Sequence, residues 1–418
     1  MGTERTTIFV YAHWQGMEVP LKVGVLLAQQ SKGRKTFSFE YDKLWLKSEH
    51  CRLIDPDLQF FSGIQYPVNK ENFGFIFDNM PDTWGRTLMK RRNILQSKEE
   101  GIPAKTLYEI DFLLGVYDES RMGAFRFKTD EDGPFLDDNQ IFKTPPWTNV
   151  RELQHAALRL EDANADDVEV KKWLDMLMAP GTSLGGARPK ANILDPSNDL
   201  WIAKFPSKND GIDKGAWEFL AYELALNAGI QMAESKIEKI QHTQHTFFTK
   251  RFDRSHSERI HFVSAMTMTG KNEEILRTQT ASYLEIADFI QNFGTNVNEN
   301  LEQLWRRIVF NIAISNNDDH LRNHGFLLEP SGWVLSPAYD LNPSVDKNHL
   351  SLNIDLENSD LDFELAKSVG SFFRLNNQSM DKIGSEVFGA VSQWEAIAKR
   401  IGIARFEMEL MSAAFRKL

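Results

Sequence analysis

Apolar and polar residues alternate along the start of the chain. Thr7-Ile8-Phe9-Val10-Tyr11, Leu21 to Leu27 and Thr36 to Glu40 each show the two-residue period of a half-buried strand, with a turn at Ser31-Lys32-Gly33-Arg34. A helical pattern follows over Asp82 to Ile94, where Pro81 and Asp82 suit a helix start, and another over Lys105 to Leu114. Met122 to Phe127 returns to strand. Residues 129–149 are rich in Asp, Gly, Pro and Thr and read as a linker. Beyond it the pattern predicts helices over Val150–Asp162 and Asp166–Met178. A Gly-rich turn, Gly181 to Lys190, comes next, with strands at Ala191–Leu194 and Leu200–Phe205. Trp217, Leu220, Ala221, Leu224 and Ala225 recur at helical spacing within Lys214–Ala228. Phe247 to Arg254 reads as a strand running into a polar turn. From about residue 270 the chain turns mostly helical: Tyr283–Phe293, the strongly apolar Leu301–Ser315, and the segment Phe373–Leu418.

A chain of 418 residues with 42% apolar and 26% charged side chains has room for two or three globular domains. Against 59 acidic residues stand 48 basic ones, a net charge of −11, which disfavours non-specific binding to nucleic acid. The basic triplet Lys90-Arg91-Arg92 suits a solvated helix end better than a nucleic-acid patch. The single cysteine, Cys51, excludes an intrachain disulfide or a cysteine metal cluster and fits a reducing compartment. Neither a leader-like start nor an apolar run of membrane-spanning length is present, so the expectation is a soluble, cytoplasmic protein with no membrane role.

The richest chemistry lies in Asn316-Asn317-Asp318-Asp319-His320-Leu321-Arg322-Asn323. Asp318 and Asn323 stand in an Asp-x-x-x-x-Asn frame, and Asp340 follows after a short predicted hairpin, Gly325–Leu328 and Trp333–Leu335 around Glu329-Pro330-Ser331-Gly332. Phosphoryl transfer needs positioning and charge neutralisation more than covalent help, and it uses these groups in this order. Asp318 would orient the attacking hydroxyl; Asn323 and Asp340, both hard oxygen donors, would hold Mg²⁺. The same residues also suit a helix cap followed by a polar turn. A metal site from Asp318, Asp319 and His320 is a further alternative, though no distant motif completes it.

Four features upstream fit the same scheme. Gly185, Gly186 and Ala187 let backbone N–H groups approach a phosphate, with Lys190 adding charge, although an ordinary Gly-Gly hairpin is the commoner meaning. Lys204 lies in the apolar strand Trp201–Phe205 and needs a partner, which a nucleotide phosphate and Glu218 would supply; a solvent-facing edge lysine is the other reading. Phe252 and Asp253 fall where an adenine would sit, or are a core aromatic and a turn carboxylate. The joint order of these parts gives the expected architecture: α+β, an atypical two-lobed protein-kinase-like fold, with a β-rich N-terminal region and a mostly helical C-terminal lobe. The divisions are 1–128, a linker at 129–149, an N-lobe part with the Gly-rich loop at 150–256, and the helical lobe at 257–418.

The chain resembles the HipA-like serine/threonine kinase toxins of bacterial toxin–antitoxin systems over nearly its whole length. The resemblance is carried by Phe75 to Arg86, Asp111 to Gly115, Arg121 to Phe127, Ser183 to Lys190, Lys250 to Arg254 and Asn317 to Asn323. It implies Asp318 as catalytic base, Asn323 and Asp340 as Mg²⁺ ligands, Lys204 on the ATP phosphates, and Asp253 and the backbone near Phe252 on the nucleoside. His320 falls within the nucleotide-binding set. Ser183, or the adjacent Thr182, falls at the position whose autophosphorylation shuts the family's kinases off; the added charge beside the ATP phosphates is a physical reason for inhibition. The resemblance further implies a HipB-like helix-turn-helix antitoxin as partner, DNA contact only through that antitoxin, and an aminoacyl-tRNA synthetase as target. A pseudokinase-like binding subunit and a small-molecule or lipid kinase are the competing functions. One position departs from the family pattern: Asp319 stands where Gly is frequent, and its role is open between a metal contact and a tuning residue.

Overall fold

The computed structural model describes residues 4–31, 34–136, 144–161, 167–181, 186–241, 243–256 and 258–417. These fall into two compact units. The first comprises Met1–Lys208, Asp253–Val263 and Gly270–Asn272; the second comprises Asn209–Phe252, Ser264–Thr269 and Glu273–Leu418. The described residues 129–136 and 144–149 lie in the first unit, and the chain passes between units after Lys208, Phe252, Val263, Thr269 and Asn272.

The first unit opens with β1 (Glu4–Ala12), β2 (Leu21–Ser31) and β3 (Arg34–Tyr41), an antiparallel meander as the alternation predicts. Ile8, Val10 and Ala12 point into the core while Phe9 and Tyr11 are half-exposed, the outcome of a period-two pattern with one buried face. The short helix α1 (Gly74–Phe77) brings Phe75 against Phe39, with ring centroids 5.5 Å apart. Next come α2 (Thr83–Glu100), capped by the Asp82 carboxylate on the Gly85 N–H at 2.7 Å, and α3 (Glu109–Leu114). The helix expected from Lys105 is shorter than its apolar spacing suggested. The Asp111 carboxylate takes the Tyr108 N–H (2.8 Å) and the Lys105 ammonium (2.7 Å), which holds Tyr108 extended at the helix start. Strand β4 (Phe125–Lys128) pairs with β1 to complete the sheet β3-β2-β1-β4. Two helices, α4 (Val150–Leu160) and α5 (Asp167–Gly181), precede the hairpin β5 (Lys190–Leu194) and β6 (Leu200–Lys204).

The second unit starts with α6 (Lys214–Asn227) and the hairpin β7 (Ser235–Glu238) and β8 (Thr246–Lys250). The chain then contributes β9 (Arg254–Ser255), β10 (Glu258–Arg259) and most of β11 (His261–Ser264) to the first unit. Back in the second unit, α7 (Ala265–Met268), α8 (Tyr283–Phe293) and α9 (Val297–Ala313) lead to the hairpin β12 (Gly325–Glu329) and β13 (Gly332–Leu335). The end is helical, as read: α10 (Phe363–Ser368), α11 (Asn377–Val391), α12 (Trp394–Ile401) and α13 (Arg405–Met411). Among the described residues no helix is long and apolar enough to cross a membrane.

One core residue of the first unit makes folding pH-dependent. His261 is buried, stacks on Trp14 at 5.2 Å and meets Phe125 edge-on at 4.5 Å. Burial pushes its imidazole down to about 3 from an ordinary 6.5. An unfolded chain takes up this proton near 6.5 while the folded chain resists it, so the stability is complete above that value and drains away as pH falls towards 3. We predict that urea unfolding between pH 6 and 4 loses about 1.4 kcal/mol per pH unit through this group. His261→Phe should flatten that share of the slope; equal slopes in both proteins contradict it.

Candidate active site

The loop carrying Asp318 is built at the end of α9. Ser315 adopts the left-handed conformation (φ 52°), and the Asn316 N–H returns to the Asn311 carbonyl at 2.9 Å, so the helix stops. Arg416 closes this end from the chain's last residues, its N–H on the Ala313 carbonyl (2.8 Å) and its Nε on Ser315 Oγ (3.2 Å). Asn317 donates to the Lys347 carbonyl (3.2 Å), and its own carbonyl accepts from Ser351 Oγ (2.7 Å). The loop is thus fastened on both sides before the chemistry begins.

Within it, neighbouring carboxylates take opposite roles. Asp318 is exposed, and Asp319 is only 1% exposed. Asp319 Oδ2 accepts from Tyr283 Oη (2.5 Å), Asn311 Nδ2 (2.8 Å) and His324 Nε2 (2.8 Å). Burial alone would raise its pKa, but His324 and the hydroxyl of Tyr283 outweigh burial, and the group is held below the usual carboxylate value. Asp319 is therefore an internal anchor. Among the described residues no group of three His, Cys, Asp or Glu side chains is placed to hold a metal, and Asp318, Asp319 and His320 do not form one.

Asn323 is buried, and its Nδ2 donates to the Asp318 backbone carbonyl at 3.1 Å. This closes the two ends of the Asp-x-x-x-x-Asn frame on each other. The amide nitrogen being used, the free donor atom is Oδ1, a hard oxygen suited to Mg²⁺. His320 is half-buried; its carbonyl accepts the Asn323 N–H at 2.8 Å. Asp340 is half-buried and takes a left-handed backbone (φ 58°), an uncommon conformation for a non-glycine residue and one that clusters at functional sites. Asn342 Nδ2 donates to its Oδ1 at 3.3 Å. The adjacent Tyr339 places its hydroxyl on the Arg322 carbonyl (2.7 Å) and its ring 5.5 Å from Phe252. Phe252, Tyr339, the Asp318 loop and Asp340 are thereby brought together within the second unit.

Gly186, Lys190, Lys204 and Asp253 belong to the first unit; Glu218, buried on α6, belongs to the second. Thr182, Ser183 and Gly185 lie outside the described residues. Gly186 is exposed at φ 102°, a conformation that glycine alone adopts without strain. Its carbonyl accepts the Trp84 N–H (3.3 Å), and Trp84 Nε1 donates to the Lys190 carbonyl (3.1 Å). The start of α2 thus grips the Gly-rich turn. Lys190 makes an internal ion pair. It is 2% exposed, with its ammonium on the Asp82 carboxylate at 2.7 Å, because a buried cation demands a close counter-charge. Lys204 is half-buried and faces Lys190 directly across β5 and β6. Two lysines on one face repel, and Asp82 offsets one of them. Asp253 is fully buried, and its Oδ2 receives the Gly123 N–H (2.7 Å) and Arg254 Nη1 (2.6 Å). Arg254 in turn holds the carbonyls of Arg121 and Glu119, at 2.7 and 3.1 Å. As placed, Asp253 is a joint within the first unit, with its carboxylate turned into protein.

The model of the HipA-like C-terminal domain matches residues 182–395, more than half of the chain. The chain belongs to this HipA-like family. A chain from the Shewanella oneidensis MR-1 toxin–antitoxin complex of HipA, HipB and operator DNA superposes with a TM-score of 0.66, covering 97% of this chain and 94% of that one at 16% identity. Likeness at that identity establishes the fold, which is α+β and of the HipA kind. A Haemophilus influenzae protein named as a candidate kinase is 28% identical over 157 residues, covering 35% of this chain. The match spans 43% of that relative's own length. The Helicobacter pylori proinflammatory kinase CtkA superposes at a TM-score of only 0.34 over 53% of this chain and supports no inference.

The HipA-like chain's first unit offers a stability test of the turn's fastening. Asp82→Ala leaves Lys190 buried without its partner and removes the α2 cap, and should cost about 3–5 kcal/mol in denaturant unfolding. Adding Lys190→Met should recover a large part of that loss. A double variant no more stable than the single one contradicts the pairing.

Proposed function

We propose that this protein is a Mg²⁺- and ATP-dependent serine/threonine protein kinase and the toxin of a toxin–antitoxin pair. The single observation that carries the reading is the Asp318 loop: an exposed carboxylate whose own carbonyl is tied to the Asn323 amide, with Asp340 on strained backbone nearby in sequence. Family membership, a HipA-like fold and the partial likeness to a candidate kinase support it.

In this reading Asp318 takes or orients the proton of the attacking hydroxyl, and its exposure lets a protein side chain reach it. Lys204 meets ATP phosphates. Phe252, beside Tyr339, offers an apolar wall to the base. Asn323 Oδ1 and the Asp340 carboxylate fit a magnesium ion, which when bound neutralises phosphate charge. Phosphorylation of Ser183, or of Thr182, would set charge against the ATP phosphates and switch the enzyme off. The partner proposed is a HipB-like helix-turn-helix antitoxin, through which alone the acidic chain meets DNA, and the proposed target is an aminoacyl-tRNA synthetase. The assembly of the Shewanella relative with HipB and operator DNA supports the partner; the target rests on the resemblance alone.

The test is incubation of pure protein with γ-labelled ATP and Mg²⁺, with and without a lysate as substrate. Wild type should transfer label to protein, and Asp318→Asn should bind ATP comparably while transferring at least about 10³-fold less, an effect in the range of losing both base and orientation. Equal transfer by the two proteins excludes Asp318 as the base; transfer by wild type to metabolites or lipids alone excludes a protein kinase.

A further inference from the structure

Asp318 and Asn323 are five residues apart, and so are Asp319 and His324. Each candidate functional residue is followed by one that is buried: Asp319 is 1% exposed and His324 2%. The two buried side chains bond to each other at 2.8 Å. A rigid brace of the same span thus lies one residue along from the chemical pair. On the same oxygen of Asp319 converge Tyr283, the first residue of α8, and Asn311, in the last turn of α9. Asn311 also receives Asn316 Nδ2 on its Oδ1 at 3.0 Å, so it ties the beginning of the loop to the same point. Tyr283 meets the His324 ring edge-on at 5.7 Å, leaving little freedom for either. Arg307, fully buried, donates to the Ser336 carbonyl at 2.6 Å, and the Asp319 charge favours its protonated form.

We propose that Asp319, through His324, Tyr283 and Asn311, is the positioning residue that fixes the separation and aim of Asp318 and Asn323. It touches neither the reacting hydroxyl nor the metal. Because its side chain is turned inward, Asp318 one residue before is turned to solvent, and because His324 is pulled to the same oxygen, Asn323 one residue before is set against the Asp318 carbonyl. This rests on the kinase reading for its effect on turnover, but the metal-holding arm stands without it. Supporting groups of this kind, one layer out from a metal ligand, typically change metal affinity or activity about 10–100-fold when removed.

The experiment uses the full chain with ATP, and Mn²⁺ as a paramagnetic substitute for Mg²⁺. Asp319→Asn keeps the shape of the side chain and breaks the pattern of acceptors; Tyr283→Phe deletes one of the three bonds and serves where the first variant folds poorly. For Asp319→Asn we expect Mn²⁺ affinity of the ATP complex and kcat each to fall about 10–100-fold, while metal-free ATP affinity stays within about threefold. Tyr283→Phe should show a smaller loss in the same two quantities. A purely structural role would instead reduce the number of active sites, leaving Mn²⁺ affinity and kcat per site unchanged, and that result overturns the proposal. If the wild type transfers no phosphate, the kinase reading fails separately, and Mn²⁺ binding still decides: weaker binding in the variants upholds the brace, and equal binding removes it.

Discussion

A carboxylate sealed inside the second unit governs the geometry of the candidate site. Burying an unpaired carboxylate costs several kcal/mol, so Asp319 is tolerable only because three donors converge on one of its oxygens. Those donors come from α8, α9 and the residue that enters β12. Moving any of the three elements would take a donor from the buried charge, so the requirement for satisfaction becomes a requirement on the loop's shape. Asp318 owes its exposure, and Asn323 its contact with the Asp318 carbonyl, to a neighbour that does no chemistry.

The first unit repeats the device on a smaller scale. Asp82 caps α2 and neutralises Lys190, while Trp84 holds the carbonyls of Gly186 and Lys190. Asp253 joins Gly123 to Arg254 in the same way. Buried charges in both units fasten loops that a hydrophobic contact, being non-directional, would leave free to slide. The N-terminal stretch that resembles the HipA-like kinases, Phe75 to Arg86, is then understandable as the piece that grips the Gly-rich turn.

Much of the fold was legible because its signals are local. The period-two alternation found the β1-β2-β3 meander, the start of α2 followed from Asp82, and the hairpin between Asn323 and Asp340 followed from Glu329-Pro330-Ser331-Gly332. Other features carry no periodic signal in the sequence. Strand β7 is polar and half-exposed, so it carries no alternation. The helix expected from Lys105 was cut short by the Asp111 carboxylate. Lys190 and Asp253 have residue types that suit a nucleotide site, and their ion pairs with Asp82 and Arg254 are contacts that residue type alone does not reveal. The brace was missed altogether, although it left a trace: Asn311 interrupts the apolar run Ile308-Val309-Phe310 and Ile312-Ala313, and a polar residue in such a run needs a buried partner.

We propose that an inward-turned Asp319 sets Asp318 and Asn323 for phosphoryl transfer with Asp340. A crystal structure of the chain with a non-hydrolysable ATP analogue and Mg²⁺ tests it most directly. The account requires a metal held by Asn323 Oδ1 and the Asp340 carboxylate, the Asp318 carboxylate facing the γ-phosphate, and Asp319 still bonded to Tyr283, Asn311 and His324. A nucleotide bound away from this loop, or a metal on Asp319 itself, would contradict it.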